Sequence, residues 1–296
     1  MHSARPRHGG ALLVAAGAFA TALATAGTVA ASGPASAREP GSLTLQQPAP
    51  RAQGGLTAEQ RRRADQIISA FENSTTQIQY GYAENLHDGR GVTSGRAGFC
   101  TGTGDAVIVV EKYTQRKPGN SLAGFLPELR RLAAAGSDDT SRLPEPDYIT
   151  AWGEEARDRT FRDVQDEVVD DLYFNPAMRH ADRAGLRTAL ARAQIYDAAI
   201  QHGDGEDPDS VGELVRRTNA RAGGSPAAGI DERAWLSAFF EVRVADLRNP
   251  ANEETRDEWA ASVDRVYSMQ RIARTGNYDL DGPIRFSVYG DEFVID

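Results

Sequence analysis

One segment of this chain, residues 78–105, breaks a pattern that is otherwise helical, and this break constrains the fold most. The segment holds seven glycines, and its short apolar runs do not keep a period of 3.6 residues. Such a composition predicts small strands and tight turns. Around it, apolar residues recur at helical spacing. We therefore expect a mainly α protein with one small non-helical patch, and functional sites are often found in such patches.

The flanking segments give specific helix predictions. Thr57 followed by Gln60 is typical of a capping box and predicts the start of a first helix. Ser121, followed by a run of leucines, predicts a second helix that ends near Gly136. Further helices are expected over residues 160–173, 181–202, 232–247 and 254–275.

The first 37 residues have the order of a secretory signal. Arg5 and Arg7 precede a long apolar run from Ala11 to Ala31, and Ala35-Ser36-Ala37 offers an A-x-A cleavage site. The length of the run leaves a retained membrane anchor as the alternative. We expect cleavage, because the run is rich in Gly, Ala and Thr and is only weakly hydrophobic.

The polar stretch at 38–55 contains three prolines, so we expect a disordered linker that leads into one domain over residues 56–296. Loss of residues 1–37 removes two arginines and no acidic residue, which changes the formal net charge from −9 to −11. Such a chain repels nucleic acid and anionic membranes and attracts polycations. Solubility alone would also explain the charge.

The residue inventory excludes several kinds of catalytic site. Cys100 is the single cysteine, so no intramolecular disulfide can form, and a buried small hydrophobe is a better interpretation of it than a thiol nucleophile. The three histidines beyond residue 37 lack metal-ligand spacing, and no Gly-x-Ser-x-Gly elbow is present. We expect no metal and no cofactor. A hydrolase with this inventory must rely on carboxylates.

Two carboxylates stand out by their position. Glu72 falls at the expected end of the first helix, where the helix dipole disfavours an anion and partial burial would raise its pKa, as suits a general acid. Asp88 lies in the turn His87–Gly91, whose glycines let the backbone approach a ligand closely. Position alone also fits a solvated glutamate at a helix end and an aspartate that caps its own turn.

Three charged residues fall on apolar helix faces: Asp197, Arg243 and Arg256. Because an isolated buried ion costs several kcal/mol, we expect the three to meet in one network. Two arginines and one aspartate leave one positive charge over, and Glu72 is a candidate for the balancing carboxylate. The alternative is that both arginines extend to the surface.

Short motifs across residues 57–296 give a further indication. The most specific are Phe71-Glu72-Asn73-Ser74, Asp88-Gly89-Arg90-Gly91-Val92-Thr93-Ser94-Gly95 and Gly98-Phe99-Cys100-Thr101-Gly102-Thr103-Gly104-Asp105. Later ones include Tyr196-Asp197-Ala198 and Tyr289-Gly290-Asp291. In these motifs the chain resembles the bacterial chitosanases of glycoside hydrolase family 46.

The resemblance implies a mainly α, two-lobed, lysozyme-like fold with a small β-sheet beside the active-site cleft. It implies endo-acting, inverting hydrolysis of β-1,4 linkages between glucosamine units, with Glu72 as proton donor, Asp88 as general base and Thr93 helping to hold the attacking water. The substrate-binding residues that it implies are Ser74, Tyr82, Glu84, Arg90, Asp105, Ala198 and His202. It also implies that Asp197, Arg243 and Arg256 form a structural charge network linked to the acid.

The expected partner is chitosan, a polycation near and below neutral pH, and the expected state is a secreted, extracellular monomer. We expect no nucleic acid partner and, once the signal is removed, no membrane. Asp204 stands where the family pattern has proline, and the spacing from Glu72 to Asp88 is two residues shorter than in the best-known members. Two alternatives remain: a lysozyme-like hydrolase of chitin or peptidoglycan, and a non-catalytic polycation-binding protein.

Overall fold

The structure, a computed structural model, describes residues 55–296. The expected signal at 1–37, and all but the last residue of the expected linker at 38–55, lie outside the described residues. Within residues 55–296 the chain forms eleven α-helices and two small antiparallel sheets. No helix in this part of the chain is long and apolar enough to cross a membrane.

The three-stranded sheet comes early in the chain, between the first and the second helix. The helices are α1 (Ala58–Asn73), α2 (Asp105–Arg116), α3 (Leu126–Ala135), α4 (Glu145–Glu155), α5 (Arg159–Val169), α6 (Asn175–Ala184), α7 (Ala189–His202), α8 (Val211–Ala222), α9 (Glu232–Arg248), α10 (Arg256–Ala261) and α11 (Asp264–Arg274). The strands are β1 (Ala83–Asn85), β2 (Val92–Ser94), β3 (Phe99–Cys100), β4 (Ile284–Val288) and β5 (Asp291–Ile295).

The break in the helical pattern forms the antiparallel sheet β1-β2-β3, as the glycine-rich segment predicted. Gly91 and Gly102 are needed where the turn between β1 and β2 packs against the turn that follows β3. Gly91 has φ 77°, and a side chain there would collide with Thr101. Gly102 donates its N–H to the Arg90 carbonyl at 2.9 Å, and a Cβ at this position would lie 2.9 Å from that oxygen. The glycines therefore fix the position of the turn that carries Asp88.

The predicted helix starts were partly right. The capping box of Thr57 and Gln60 is confirmed, with reciprocal bonds of 3.2 and 3.0 Å. The predicted start at Ser121 was wrong, and α3 begins at Leu126. The reason is that the Ser121 backbone N–H and hydroxyl both donate to Glu155, at 2.8 and 2.9 Å, and cap no helix.

Two long predicted helices are interrupted. The helix expected at 181–202 divides at Gly185, which has φ 80° and packs so closely on Ala227 that a Cβ would lie 2.5 Å from the Ala227 backbone nitrogen. The helix expected at 254–275 divides between α10 and α11 at Ser262 and Val263. The sequence pattern did not predict α2, α4, α8 or the hairpin β4–β5.

Helix α7 forms the centre of the larger group of helices. All fourteen of its residues, Ala189–His202, are buried, and it contacts α1, α6, α8 and α11. Helices α2 and α4 pack on the three-stranded sheet, and α3 and α5 pack on α2. The expected fold class is confirmed: mainly α, with a small antiparallel sheet.

Candidate active site

Glu72 lies in the last turn of α1 and is 8% exposed. The helix ends because Ser74 adopts a left-handed conformation, with φ 50°, and donates its N–H to the Ala70 carbonyl at 3.1 Å. Burial raises the pKa of Glu72, and the hydrogen bond from Arg265 at 2.6 Å acts in the opposite direction. The net shift is upward, which favours a carboxyl that keeps its proton as a general acid must.

A buried charge network supports Glu72. Arg265 Nη2 also binds Asp197 Oδ1 at 2.7 Å, and Asp197 Oδ2 binds Arg243 Nη1 at 2.5 Å. Burial alone would raise the pKa of Asp197, but the two arginines hold it below its usual range. Phe71 also supports Arg265, since its ring centroid lies 5.5 Å from the guanidinium carbon. The structure thus brings Asp197 and Arg243 together with Glu72, and one aspartate neutralises part of the charge of both arginines.

Arg256 does not belong to this network, which corrects the sequence analysis. Its Nη2 binds Glu253 at 3.1 Å, and 42% of its side chain is exposed. Arg265 takes the position expected for it. The prediction assumed one helix over residues 254–275, but α10 ends at Ala261, so the helical register does not continue from Arg256 into α11.

A signal for Arg265 was present in the sequence. Arg265, Met269 and Ile272 follow helical spacing, and all three are buried on α11. Reading this stripe as a separate helix would have placed Arg265 inside the protein. The error came from treating α10 and α11 as one helix.

Asp88 lies in the turn between β1 and β2, and 24% of its side chain is exposed. Its Oδ1 accepts the Arg90 N–H at 3.2 Å, so it caps the turn, and its Oδ2 pairs with the Arg90 guanidinium. The same guanidinium also lowers the pKa of Glu72. Arg90 therefore pairs with Asp88 and also acts electrostatically on Glu72.

The expected substrate-binding residues of the sheet surround Asp88. Tyr82 donates its hydroxyl to Glu84 Oε2 at 3.1 Å. Burial raises the pKa of Tyr82, and the charges of Glu84 and Asp88 add to the effect, so all three lie near one another. Glu84 and Thr93 are directly opposite on β1 and β2, which places both side chains on one face of the sheet.

Asp105 begins α2 and is buried beside the sheet. Its Oδ1 accepts three hydrogen bonds, from Cys100 N at 2.8 Å, Thr103 Oγ1 at 2.6 Å and Ala106 N at 3.1 Å. Its Oδ2 lies 3.5 Å from the hydroxyl of Tyr173. Burial raises the pKa of Asp105, and the hydrogen bonds oppose that shift.

Three residues that the resemblance assigned to catalysis or binding are fully or almost fully buried. The Thr93 hydroxyl lies 3.4 Å from Cys100 Sγ. Its role in holding the attacking water stays a prediction. The side chain of Ala198 is buried inside α7, and its assignment as a cleft residue stays a prediction.

His202 is 1% exposed, and its role in binding substrate stays a prediction. Its Nδ1 lies 3.0 Å from the Asp209 carbonyl, and its Nε2 accepts a hydrogen bond from Arg243 Nε at 3.2 Å. Burial lowers the pKa of His202, and the positive charge of Arg243 acts in the same direction. The ring is therefore neutral and supports Arg243.

Cys100 is also buried, and burial raises the pKa of its thiol to about 12, with Asp105 adding to the shift. A thiol that stays protonated is a poor nucleophile, which supports interpreting Cys100 as a small hydrophobe. Among residues 55–296, no group of three or more His, Cys, Asp or Glu side chains is arranged to hold a metal ion.

Comparison with known proteins gives a consistent result. Residues 66–284 match the model of glycosyl hydrolase family 46. The chain is 58% identical over 243 residues to a chitosanase of Bacillus subtilis, across 81% of this chain and 87% of that protein. It is 37% identical over 299 residues to a chitosanase of a Streptomyces species, across 100% of this chain and 99% of that protein.

Solved structures of chitosanases also resemble this chain. The crystal structure of native chitosanase from Bacillus subtilis MY002 has a TM-score of 0.77 at 57% identity, and the match covers 82% of this chain and 100% of that one. A mutant of the same enzyme, complexed with six glucosamine units, has a TM-score of 0.78 at 56% identity with the same coverage.

Proposed function

Because the chain belongs to glycosyl hydrolase family 46 and is a chitosanase, we propose that it cleaves chitosan by inversion, with Glu72 as general acid and Asp88 as general base. The observation that carries this assignment is the guanidinium of Arg90, which pairs with Asp88 and acts electrostatically on Glu72. Two carboxyls in one site with unlike environments are the usual arrangement for paired acid and base chemistry.

Glu72 is the group suited to hold a proton. Burial raises its pKa, so at moderately acidic pH it donates a proton to the glycosidic oxygen as the bond breaks. Arg265 limits the shift, because it stabilises the carboxylate that remains after the proton has left. Glu72 is therefore protonated before the reaction, and its carboxylate is stabilised by Arg265 once the proton has left.

Asp88 is the more exposed carboxyl, and it activates a water molecule on the opposite face of the sugar. Inversion requires room for this water between the two groups, with carboxyl separations of ~6.5–9.5 Å in most such enzymes. The charge-assisted hydrogen bond from Arg90 holds Asp88 in position. We propose that Arg90 keeps the base aligned while the water is attacking.

The ammonium groups of chitosan are bound by the acidic side chains near Asp88. Glu84 lies on β1. Asp105 Oδ1 accepts three hydrogen bonds, while its Oδ2 lies 3.5 Å from the Tyr173 hydroxyl. Hydrogen bonds between ammonium groups and carboxylates are charge-assisted and strong. Ser74, Tyr82 and Arg90 complete the proposed binding surface. Solved chitosanases with six glucosamine units and with chitotetraose support an oligomer that spans several such contacts.

Secretion is part of the proposal and rests on the sequence alone. The basic start, apolar run and Ala35-Ser36-Ala37 triplet support removal of a signal and release of the enzyme. N-terminal sequencing of the protein recovered from the medium would show a start directly after Ala37. A protein that stays in the membrane fraction with an intact N-terminus would contradict release.

Replacing Glu72 tests the assignment of the acid. Glu72→Gln keeps the shape and the Arg265 contact but removes the proton, so we expect kcat on chitosan to fall by about 10²–10⁴-fold with KM little changed. Glu59→Gln is the matched control, because Glu59 lies on the same helix and is exposed. Wild-type turnover in Glu72→Gln would overturn the assignment.

The stereochemistry of early products tests the mechanism independently. One-dimensional NMR during the first turnovers should show α-anomeric reducing ends, since inversion converts the β linkage. Early products with β-anomeric ends would show retention and exclude Asp88 as a base. Running the same assay on fully acetylated chitin tests the substrate class, and we expect cleavage of the deacetylated polymer only.

A further inference from the structure

The turn between β4 and β5 has a backbone conformation that is unfavourable for the residue it contains. Val288 and Asp291 form the last pair of the hairpin, so Tyr289 and Gly290 are its two loop residues, with φ of 53° and 92°. Turns with positive φ at both loop positions usually have Asn, Asp or Gly first. A tyrosine there is a backbone outlier, and such outliers often occur where a side chain has a function.

Tyr289 holds the junction between α10 and α11 from two sides. Its backbone N–H donates to Asp264 Oδ2 at 2.6 Å, and its hydroxyl donates to the Ser262 carbonyl at 3.3 Å. Ser262 follows the last residue of α10, and Asp264 is the first residue of α11. One residue therefore clamps the chain directly before Arg265.

The clamped segment fixes both arginines of the charge network. Arg265 follows Asp264 in the chain and binds Glu72 at 2.6 Å. Ser262 Oγ accepts a hydrogen bond from Gln201 at 2.7 Å, and Gln201 Oε1 accepts one from Arg243 Nη2 at 2.6 Å. A shift of the junction would therefore move the partners of both arginines at once.

We propose that Tyr289 is a positioning residue that clamps residues 262–264 so that Arg265 keeps its hydrogen bond to Glu72. This inference rests on the proposed role of Glu72 as general acid. It explains why a tyrosine occupies a turn position that favours asparagine, because asparagine has no hydroxyl that could reach the Ser262 carbonyl.

The sign of the expected effect follows from the groups that face Glu72. These groups are Arg265 on α11, Asp197 on α7, Arg90 on the β1–β2 turn and Tyr289 itself. Arg265 lowers the pKa of Glu72, whereas burial and Asp197 raise it. Loosening the clamp weakens the contribution of Arg265, so the pKa of Glu72 should rise. Glu72 then keeps its proton to higher pH, and the basic limb of kcat/KM moves upward.

The test compares Tyr289→Phe and Tyr289→Asn with wild type. Tyr289→Phe keeps the ring and removes only the hydroxyl bond, while Tyr289→Asn restores a favourable turn residue and keeps the bond from its N–H. In both, we expect the titration of Glu72, followed by ¹³C NMR of glutamate carboxyls, to move upward by about 0.5 pH unit. The signal is assigned by its absence in Glu72→Gln. We expect kcat to fall roughly threefold or more with KM unchanged.

Tyr267→Phe is the matched control, because Tyr267 lies on α11 and its hydroxyl accepts a hydrogen bond from Arg248 at 2.8 Å, away from the network. It should leave the Glu72 titration and the pH profile as in wild type. If Tyr289→Phe folds and Glu72 titrates as in wild type, the inference is overturned, even when the melting temperature has changed. If Glu72 shifts as expected but Glu72→Gln keeps full activity, the inference stands and the proposed function fails.

Discussion

At the residue scale, three of the positive-φ residues other than glycine lie beside groups that the mechanism uses. Ser74 ends the helix two positions after Glu72, His87 directly precedes Asp88, and Tyr289 clamps the chain before Arg265. Such conformations are unfavourable for side chains with a Cβ and persist only when the surrounding structure holds them. The backbone around the site is thus arranged for the placement of the carboxyls and their partners, at some cost to local preference.

Arg265 and Arg256 offer a direct test of the charge network. Arg265→Met removes one partner of a buried aspartate and of Glu72, and we expect it to lower the free energy of unfolding by about 3–5 kcal/mol. Arg256→Met removes only an exposed pair with Glu253 and should cost about 0–1 kcal/mol. Urea denaturation measures both. Equal effects would contradict the assignment of Arg265 to the network.

At the scale of elements, the sequence predicted those parts whose signals are local. The capping box at Thr57, the glycine-rich sheet and the buried stripe carrying Asp197 all depend on residues a few positions apart. The breaks at Gly185 and Ser262 depend on tertiary contacts that the local pattern does not contain. The burial of His202 against Arg243 was not predicted for the same reason, because Arg243 lies on another helix.

The turn carrying Asp88 yields a prediction of its own. A methyl group at Gly102 would lie 2.9 Å from the carbonyl oxygens of both Arg90 and Ser137, so Gly102→Ala must displace the turn. We expect a loss of about 1–3 kcal/mol in unfolding free energy and a fall in kcat. Gly124→Ala is the control, since nothing lies within 4 Å of its Cβ. Chemical denaturation and initial rates on chitosan oligomers check both variants, and unchanged kcat in Gly102→Ala would argue against a rigid turn.

At the scale of the whole molecule, the net charge of the chain is opposite in sign to that of its substrate. The formal net charge is −9, with acidic side chains near Asp88, and chitosan is cationic. Salt screens such attraction over about 8–10 Å at ionic strengths near 0.1 M. Long-range attraction therefore assists binding at low salt and leaves the chemical step unaffected.

This attraction predicts how the kinetics depend on salt. Raising NaCl from 50 to 500 mM should increase KM for a glucosamine oligomer by roughly 3–10-fold and leave kcat nearly constant. Glu84→Gln removes one carboxylate of the proposed binding surface and should reduce this dependence. The melting temperature in the same buffers controls for changes in folding. A KM that is independent of salt would show that binding depends on short contacts alone.

The burial of α7 determines how the enzyme loses activity when it unfolds. Asp197 lies in the middle of a helix whose every side chain is enclosed by others, so the scaffold behind the acid cannot loosen by fraying at an edge. Heat or denaturant would have to open the entire assembly before this partner of the acid became accessible to water. Inactivation should therefore be abrupt, with activity retained until the molecule loses its structure as one unit.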